Sequence, residues 1–556
     1  MERQALSRRL VLAAVAALVF AGSVAAAGGP VATATQTLAG LDDVAAGGFE
    51  PPDVQVAAGP GFVVEMVNLA ERTWRTDSAT AQTLQTEQLS AFFESGGDRL
   101  TDPRIAYDAL SGRWFASISD LDTNSVLLAV STSGDPTASW TISSYVAPGC
   151  ADQPRLGIAD GIVVLGADIF QNCSEGGSEA IGSELWVVNK QELLAGSTKP
   201  DFTTDGPDSD FSSFAPVQSL SPTSTEYVVS VNEPSSRVVH LFAVDGIPPA
   251  AVSFSEIATP SIMRLSRPPF AAQPPTPAGR AQPEIDTNDD RVLESVWENG
   301  RLWFTANTAC QPAGDSLIRS CARITELATA TGTVTMDSNL SQAGAHIFYP
   351  ALQPDGSGNL VVVFGESGVS VNPEVVAVGR TPDGTFTDPV VIAQSAGAYL
   401  GDRYGDYFGA ARDPGNPSLV WVAGEAGTEV AGARGWATTV ASVAITAAGA
   451  PPPPVLTAAP PAVRAVHVAA RAGTSVRLVY RSLADGSDVR TVVIVRTKKA
   501  VVFTTTTPKA ALHAGKLYFV FWRPAKTLHG TLSYCVHSLS SGGAPSPQSC
   551  TTVTLR

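Results

Sequence analysis

Three arginines stand at comparable places in recurring phrases of this chain: Arg104 in Asp102-Pro103-Arg104, Arg155 in Asp152-Gln153-Pro154-Arg155, and Arg403 in the stretch from Asp402 to Asp406. A guanidinium is a planar fork of donors that grips a carboxylate or phosphate through two parallel hydrogen bonds. Arginines that converge therefore make a site for an anionic group such as an acidic sugar. Paired carboxylates do different work. One gives a proton while the other attacks or activates water, which is glycoside hydrolysis when the two stand about 5 to 10 Å apart across a sugar. Asp102, Asp152, Glu284, Asp286, Asp402 and Asp406 are the candidates. The same residues also suit a plainer role, because Arg beside Asp at the edge of a repeated unit forms ion pairs that tie one unit to the next.

Hard cations are the next possibility. The run Asp286-Thr287-Asn288-Asp289-Asp290 offers oxygen ligands of the kind Ca2+ prefers, with Asp286, Asn288 and Asp290 as the metal candidates. It lacks the Gly and the distal Glu of an EF-hand, and the competing reading is a solvated turn before Val292. Asp120, Asp122 and Asn124 form a weaker case of the same kind. Of six histidines only His240 and His346 precede the proline-rich segment at residue 451. His240 is embedded in an apolar strand, Val238 to Phe242. His346 stands before Phe348-Tyr349-Pro350 at a strand start and is the ligand-binding candidate. There is no Gly-x-Ser-x-Gly elbow, His-Glu-x-x-His or phosphate loop.

The elements that must position these groups repeat. The clearest copy runs from Asp102-Pro103-Arg104 through Ser111-Gly112-Arg113-Trp114-Phe115 and the apolar run Val126 to Val130 to Trp140. The grammar returns at Pro51-Pro52-Asp53, Asp152 to Arg155, Pro216-Val217-Gln218, Pro283-Glu284 with Asn299-Gly300-Arg301-Leu302-Trp303, Tyr349-Pro350-Ala351 and Gly405-Asp406-Tyr407. A period of about 50 to 70 residues with several short strands in each copy is the signature of a β-propeller. In that fold the inner strands converge on a central channel, so residues far apart in sequence meet where those strands begin. Helix signals are few: one short amphipathic stretch from Leu84 to Phe93, and Lys190 to Leu194 stopped by Gly196.

The ends of the chain differ from its body. Arg3, Arg8 and Arg9 precede an apolar run from Leu10 to Phe20 and then Ala25-Ala26-Ala27, the pattern of a secretory signal over residues 1–27. The two arginines before the apolar run fit either a Sec or a twin-arginine signal. No further stretch reaches membrane length. Six cysteines fall into three local couples, Cys150-Cys173, Cys310-Cys321 and Cys535-Cys550, the simplest disulfide framework for an exported chain. Pro451 to Pro454 and Pro460-Pro461 mark an extended linker over 450–461. Beyond it, about seven short strands in 462–556 read as an immunoglobulin-like or fibronectin type III-like sandwich. That last segment has thirteen Lys and Arg against two Asp, a charge of +11; with a net −16 for the chain, the remainder carries −27. Scattered basic residues without a recognised motif argue against nucleic acid, whereas an anionic cell-wall polymer is a fitting partner.

Over residues 45–445 these phrases resemble the sialidase-like superfamily of secreted propellers, and uncharacterised exported bacterial propellers with similar Asp-Pro-Arg and Gly-Arg-Trp phrases. Thr381-Pro382-Asp383-Gly384-Thr385-Phe386-Thr387 looks like a degenerate Asp-box, a structural hairpin turn with an aromatic packed beneath it. Sialidases use three arginines, a Tyr-Glu nucleophile pair and an Asp acid/base. The resemblance therefore implies Arg104, Arg155 and Arg403 as the arginines, Tyr404 or Tyr407 as the tyrosine, and Asp402 or Asp406 as the acid. The chain departs from the pattern in that Arg104 lacks the aromatic-Arg-Ile-Pro order and no Glu is tied to either tyrosine.

The sequence thus predicts an all-β protein: signal 1–27, an approximately seven-bladed propeller over 28–449, linker 450–461 and sandwich 462–556. The expected function is extracellular or cell-surface binding of a protein or glycan, with the basic sandwich as an accessory or anchor. The alternative is a sialidase-like glycoside hydrolase or lyase at the channel mouth.

Overall fold

A computed structural model describes residues 29–77, 80–174, 178–211, 213–231, 235–401, 403–427, 435–446, 463–484, 486–497, 501–508, 510–539 and 549–556. The predicted signal, the proline-rich linker and Asp402 lie outside them.

Between residues 31 and 446 the described strands form seven four-stranded antiparallel units, the third and fifth of which are joined into one nine-stranded sheet by Gln218–Ser219, paired in parallel with the innermost strand of each. Their innermost strands are Gln55–Gly59, Leu100–Asp108, Cys150–Ile158, Ala215–Pro216, Val292–Glu298, Ala345–Pro354 and Gly409–Arg412. Each innermost strand neighbours the next, and the seventh neighbours the first, so the units close a ring. These strands are buried almost throughout, as expected where both faces of a sheet are covered. Outer strands such as Gln82–Gln88 and Phe202–Asp208 are largely exposed. The seventh blade is completed by the first strand of the chain, Val31–Asp42, which pairs antiparallel with Trp436–Thr446.

The apolar core lies between blades. One cluster joins Ala57, Met66 and Leu89 of the first blade to Ile105, Trp114 and Ile118 of the second. Another joins Phe115 and Val130 of the second to Leu165 and Trp186 of the third. Gly59 is required at the first of these seams, because a Cβ there would collide with the Trp114 indole. Buried ion pairs also cross seams: Lys190 Nζ lies 2.7 Å from Asp108 Oδ2. The disulfides Cys150–Cys173, Cys310–Cys321 and Cys535–Cys550 are formed. Closing loops of this length stabilises by about 3 kcal/mol each.

Three local expectations change. The fifth blade begins at Val292, so Pro283-Glu284 belongs to the connection that precedes it. Of the stretch Leu84 to Phe93 only Leu89–Phe92 is helical; Gln82–Gln88 completes the first blade as its edge strand, where pairing with Ala70–Arg75 outweighs weak helical periodicity. The Asp-box-like turn exists, with Asp383 accepting from Thr381 and Thr385, but Phe386 is 38% exposed and lies under Arg380 instead of packing into the blade.

In 463–556 two sheets face each other. One is the three-stranded sheet Val463–Val466, Val476–Ser482 and Leu517–Trp522. The other contains Val468–Ala470, Ser549–Leu555, Gly530–Leu539, Gly486–Arg496 and Val501–Thr506, with Ala510–Leu512 paired alongside. Leu478, Tyr480 and Trp522 from the first pack against Val493, Tyr534 and Val553 from the second, the interleaving of a β-sandwich. Among the described residues no helix is long and apolar enough to cross a membrane.

Candidate functional site

At one end of the propeller axis the inner strands share a device. Asp53, Asp102, Gln153, Asn288 and Tyr349 adopt left-handed backbone conformations, with φ of 47°, 59°, 46°, 58° and 54°. Such conformations cost side-chain-bearing residues about 1 to 3 kcal/mol and persist only where their surroundings enforce them. Ladder pairing breaks at the same points, between Thr101 and Arg104 and between Phe348 and Ala351. Four of these side chains and Asp406 form one polar assembly. Asn68 Nδ2 donates to Asp53 Oδ2 at 2.8 Å, and Asn68 Oδ1 accepts from the Asp102 amide at 2.8 Å. Asp102 Oδ2 accepts from the Gln153 amide at 3.3 Å. Gln153 Nε2 and Asn288 Nδ2 donate to Asp406 at 3.4 and 2.9 Å, and the Asp406 amide donates to Asp53 Oδ1 at 2.8 Å.

Asp53, Asp102 and Asp406 bring carboxylate oxygens within 4.8 Å of one another. They are only 1%, 4% and 5% exposed. Burial, reinforced by the neighbouring Asp406, pushes the Asp53 carboxyl up to about 7; burial, then Asp53 and Asp406, pushes Asp102 to about 8. These are directions expected of acids removed from water beside other acids. The half-exposed Arg403 guanidinium pairs with Asp406. A hard cation fits three such oxygens, and Arg403 already offsets part of their charge.

The arginines of the inner strands lie one layer deeper. Arg104 and Arg155 are each 5% exposed. The Arg104 guanidinium sits 3.7 Å from the centre of the Tyr407 ring, and its Nη1 is 3.5 Å from Glu294 Oε2. Arg155 Nη1 donates to the Leu293 carbonyl at 3.2 Å. Both arginines line an axial cavity of about 40 Å3. Arg403 therefore does not share a pocket with them. Toward the opposite mouth lies a cavity of about 340 Å3 lined by Tyr107, Leu110, Gln218, Gln353 and Arg412, with no carboxylate. Gln218 lines both cavities.

The remaining candidates disperse. Asp286 caps its own loop by accepting from the Asn288 amide, Asn288 turns to Asp406, and one oxygen of Asp290 is buried without a hydrogen-bond partner. Those three do not gather around one point. His346 accepts from the Ser320 amide at 3.1 Å and contacts Arg319, away from the axis; burial, then Arg319, lowers its pKa to about 4. Tyr407 donates to the Pro103 carbonyl and Tyr404 to the Glu425 carbonyl. Asp152 borders a separate cavity of about 310 Å3 beside the Cys150–Cys173 disulfide, and burial, then Asp102, raises its carboxyl well above the ordinary range.

A second site lies on the sandwich. Outward positions of its three-stranded sheet are Arg464 and Val466, then Arg477, Val479 and Arg481, then Leu517, Phe519 and Phe521, in register across the three strands. Leu517, Phe519 and Phe521 are 52%, 48% and 59% exposed. Arg477 lies 4.9 and 5.6 Å from the centres of the Phe519 and Phe521 rings. Among the described residues no carboxylate stands on this face. Reading charge alone found the basic segment but missed the face; the alternation in Leu517-Tyr518-Phe519-Val520-Phe521, every second residue apolar on the side away from Trp522, was the available signal.

No protein-family model matches the chain, and no curated protein does. Among solved structures it is similar to the phage phi92 endosialidase, 9% identical over 94% of this chain and 87% of that one, with a TM-score of 0.37. A protein of unknown function from Dyadobacter fermentans is 11% identical over 75% and 99%, with a TM-score of 0.34. The Trypanosoma rangeli sialidase is 10% identical over 82% and 83%, with a TM-score of 0.30. At such values the likeness carries nothing about chemistry, and the propeller fold rests on strand pairing and ring closure.

Proposed function

We propose that this is an exported binding protein whose basic, fibronectin type III-like sandwich holds it on an anionic cell-envelope polysaccharide while the propeller presents a ligand face. The carrying observation is the outward sheet face, where Arg464, Arg477 and Arg481 surround Phe519 and Phe521 without a carboxylate. Aromatic rings stack on the apolar faces of sugars, and guanidinium forks pair with carboxylate or phosphate substituents. A flat sheet suits an extended polymer. At the propeller, the 340 Å3 cavity with its Tyr, Gln and Arg lining has the size and polarity of a small-ligand site.

The full chain is expected to be retained on immobilised poly(glycerol phosphate) or polygalacturonate at low salt and released near 1 M, where screening shortens to about 3 Å. Passage through both matrices at low salt overturns the anchor. Capture by phosphatidylglycerol vesicles but by neither polymer replaces the polysaccharide with a membrane surface.

Hydrolysis by a sialidase-like or other glycosidase is the second reading. It rests on Asp152, whose carboxyl burial and then Asp102 raise well above the ordinary range beside a cavity large enough for a sugar. The buried trio Asp53, Asp102 and Asp406 has no comparable access. Cleavage of aryl glycosides that disappears in Asp152→Asn establishes this reading; an inactive wild-type chain removes it.

A further inference from the structure

We propose that the axial cavity between Arg104 and Arg155 is a binding site for one small monovalent anion of the halide class. Three donors of these arginines, Arg104 Nε, Arg104 Nη2 and Arg155 Nη2, are shielded from solvent and have no hydrogen-bond partner among the described residues. Both residues line the same cavity. A guanidinium cannot escape this situation by losing its proton, as a buried lysine can. The donors must therefore be met by something inside the cavity.

The charge around the cavity selects an anion over water alone. Its charged lining is two arginines and one carboxylate, Glu294. Glu294 reaches Arg104 only at 3.5 Å, and burial raises its carboxyl above the ordinary range. Asp168, a further carboxylate whose charge acts on Arg155, is already held by Arg291 at 2.9 Å and Ser183 at 2.8 Å. Burial, then the second guanidinium, depresses Arg155 to about 10, the direction expected of two cations facing each other with too little negative charge between them. Size narrows the class. A volume of about 40 Å3 admits about three water-sized occupants, so a halide with one or two waters fits and a sugar ring does not.

Such an ion would cross-link the second and third blades at the axis and stabilise the folded chain by mass action. Crystals of the full chain soaked in sodium bromide are expected to show an anomalous peak within hydrogen-bonding reach of Arg104 and Arg155. In solution, the melting temperature is expected to rise by about 1–2 °C per tenfold increase in chloride, at ionic strength held constant with gluconate. Arg155→Gln should abolish that dependence and Arg155→Lys should retain part of it. A bromide-soaked crystal with no peak in the cavity, together with equal melting in chloride and gluconate, shows that water alone meets the donors and overturns the proposal. If Arg155→Gln does not fold, the bromide experiment on the unaltered chain decides.

Discussion

Arginine over an aromatic ring occurs twice with opposite surroundings. On the propeller axis Arg104 covers Tyr407 at 3.7 Å with both residues buried. On the sandwich Arg477 covers Phe519 at 4.9 Å with both residues exposed. The first pair is tied to Glu294 through Arg104 Nη1 and to the Pro103 carbonyl through the Tyr407 hydroxyl, so both side chains are held within the interior. The second sits at the open face of a sheet whose inner face is already packed, so its ring edges and guanidinium are available to a partner. The same side-chain chemistry thus supports structure in one place and recognition in the other, and burial makes the difference.

The largest expected effect tests the buried member. Arg104→Ala leaves Glu294 without its charge partner and opens space against Tyr407, so a loss of about 3 to 5 kcal/mol is expected in chemical unfolding. Arg477→Ala should stay within about 0.5 kcal/mol. Equal costs would break the comparison.

The acidic layer gives the next effect. Asp53 and Asp102 ionise at about 7 and 8 in the folded chain against 3.8 ordinarily. Between pH 4 and 8 the native state therefore binds more protons than the unfolded chain, so their contribution to stability falls as pH rises through that window. Melting is expected to be several degrees higher at pH 5 than at pH 8, and Asp102→Asn should flatten this slope. A slope unchanged in that variant would place the pH dependence elsewhere.

The smallest thermodynamic change should carry the clearest functional one. The double variant Phe519→Ala, Phe521→Ala is expected to keep the melting temperature of the unaltered chain. Its retention on polygalacturonate should weaken roughly tenfold, about 1.4 kcal/mol, because the two rings that would stack on the sugar faces are gone. Unchanged retention would leave charge alone as the basis of anchoring.

The blade phrases were legible because each is local: Gly112-Arg113-Trp114 turns and packs within its own unit and against Gly59 of the preceding one. The three cysteine couples were legible for the same reason. Asp53 was not, because its importance arises from ring closure, which sets it against an amide 353 residues away, and from a left-handed backbone that redirects its side chain. The arginine layer was half legible. Arg104 and Arg155 do share a cavity, but Arg403, matched to them by motif, lies in the carboxylate layer because its neighbour Asp406 holds it there.

Completion of the seventh blade by Val31–Asp42 imposes a schedule on synthesis. Thr35 meets Ser442 across 407 residues, and Glu65 joins Leu41 to Thr438. Val31–Asp42 must wait for the last described strand of the propeller before it finds its partner, and a chain ending short of that strand presents two unsatisfied sheet edges. Early termination before Trp436, or loss of Val31–Asp42, leaves an open arc rather than a smaller ring.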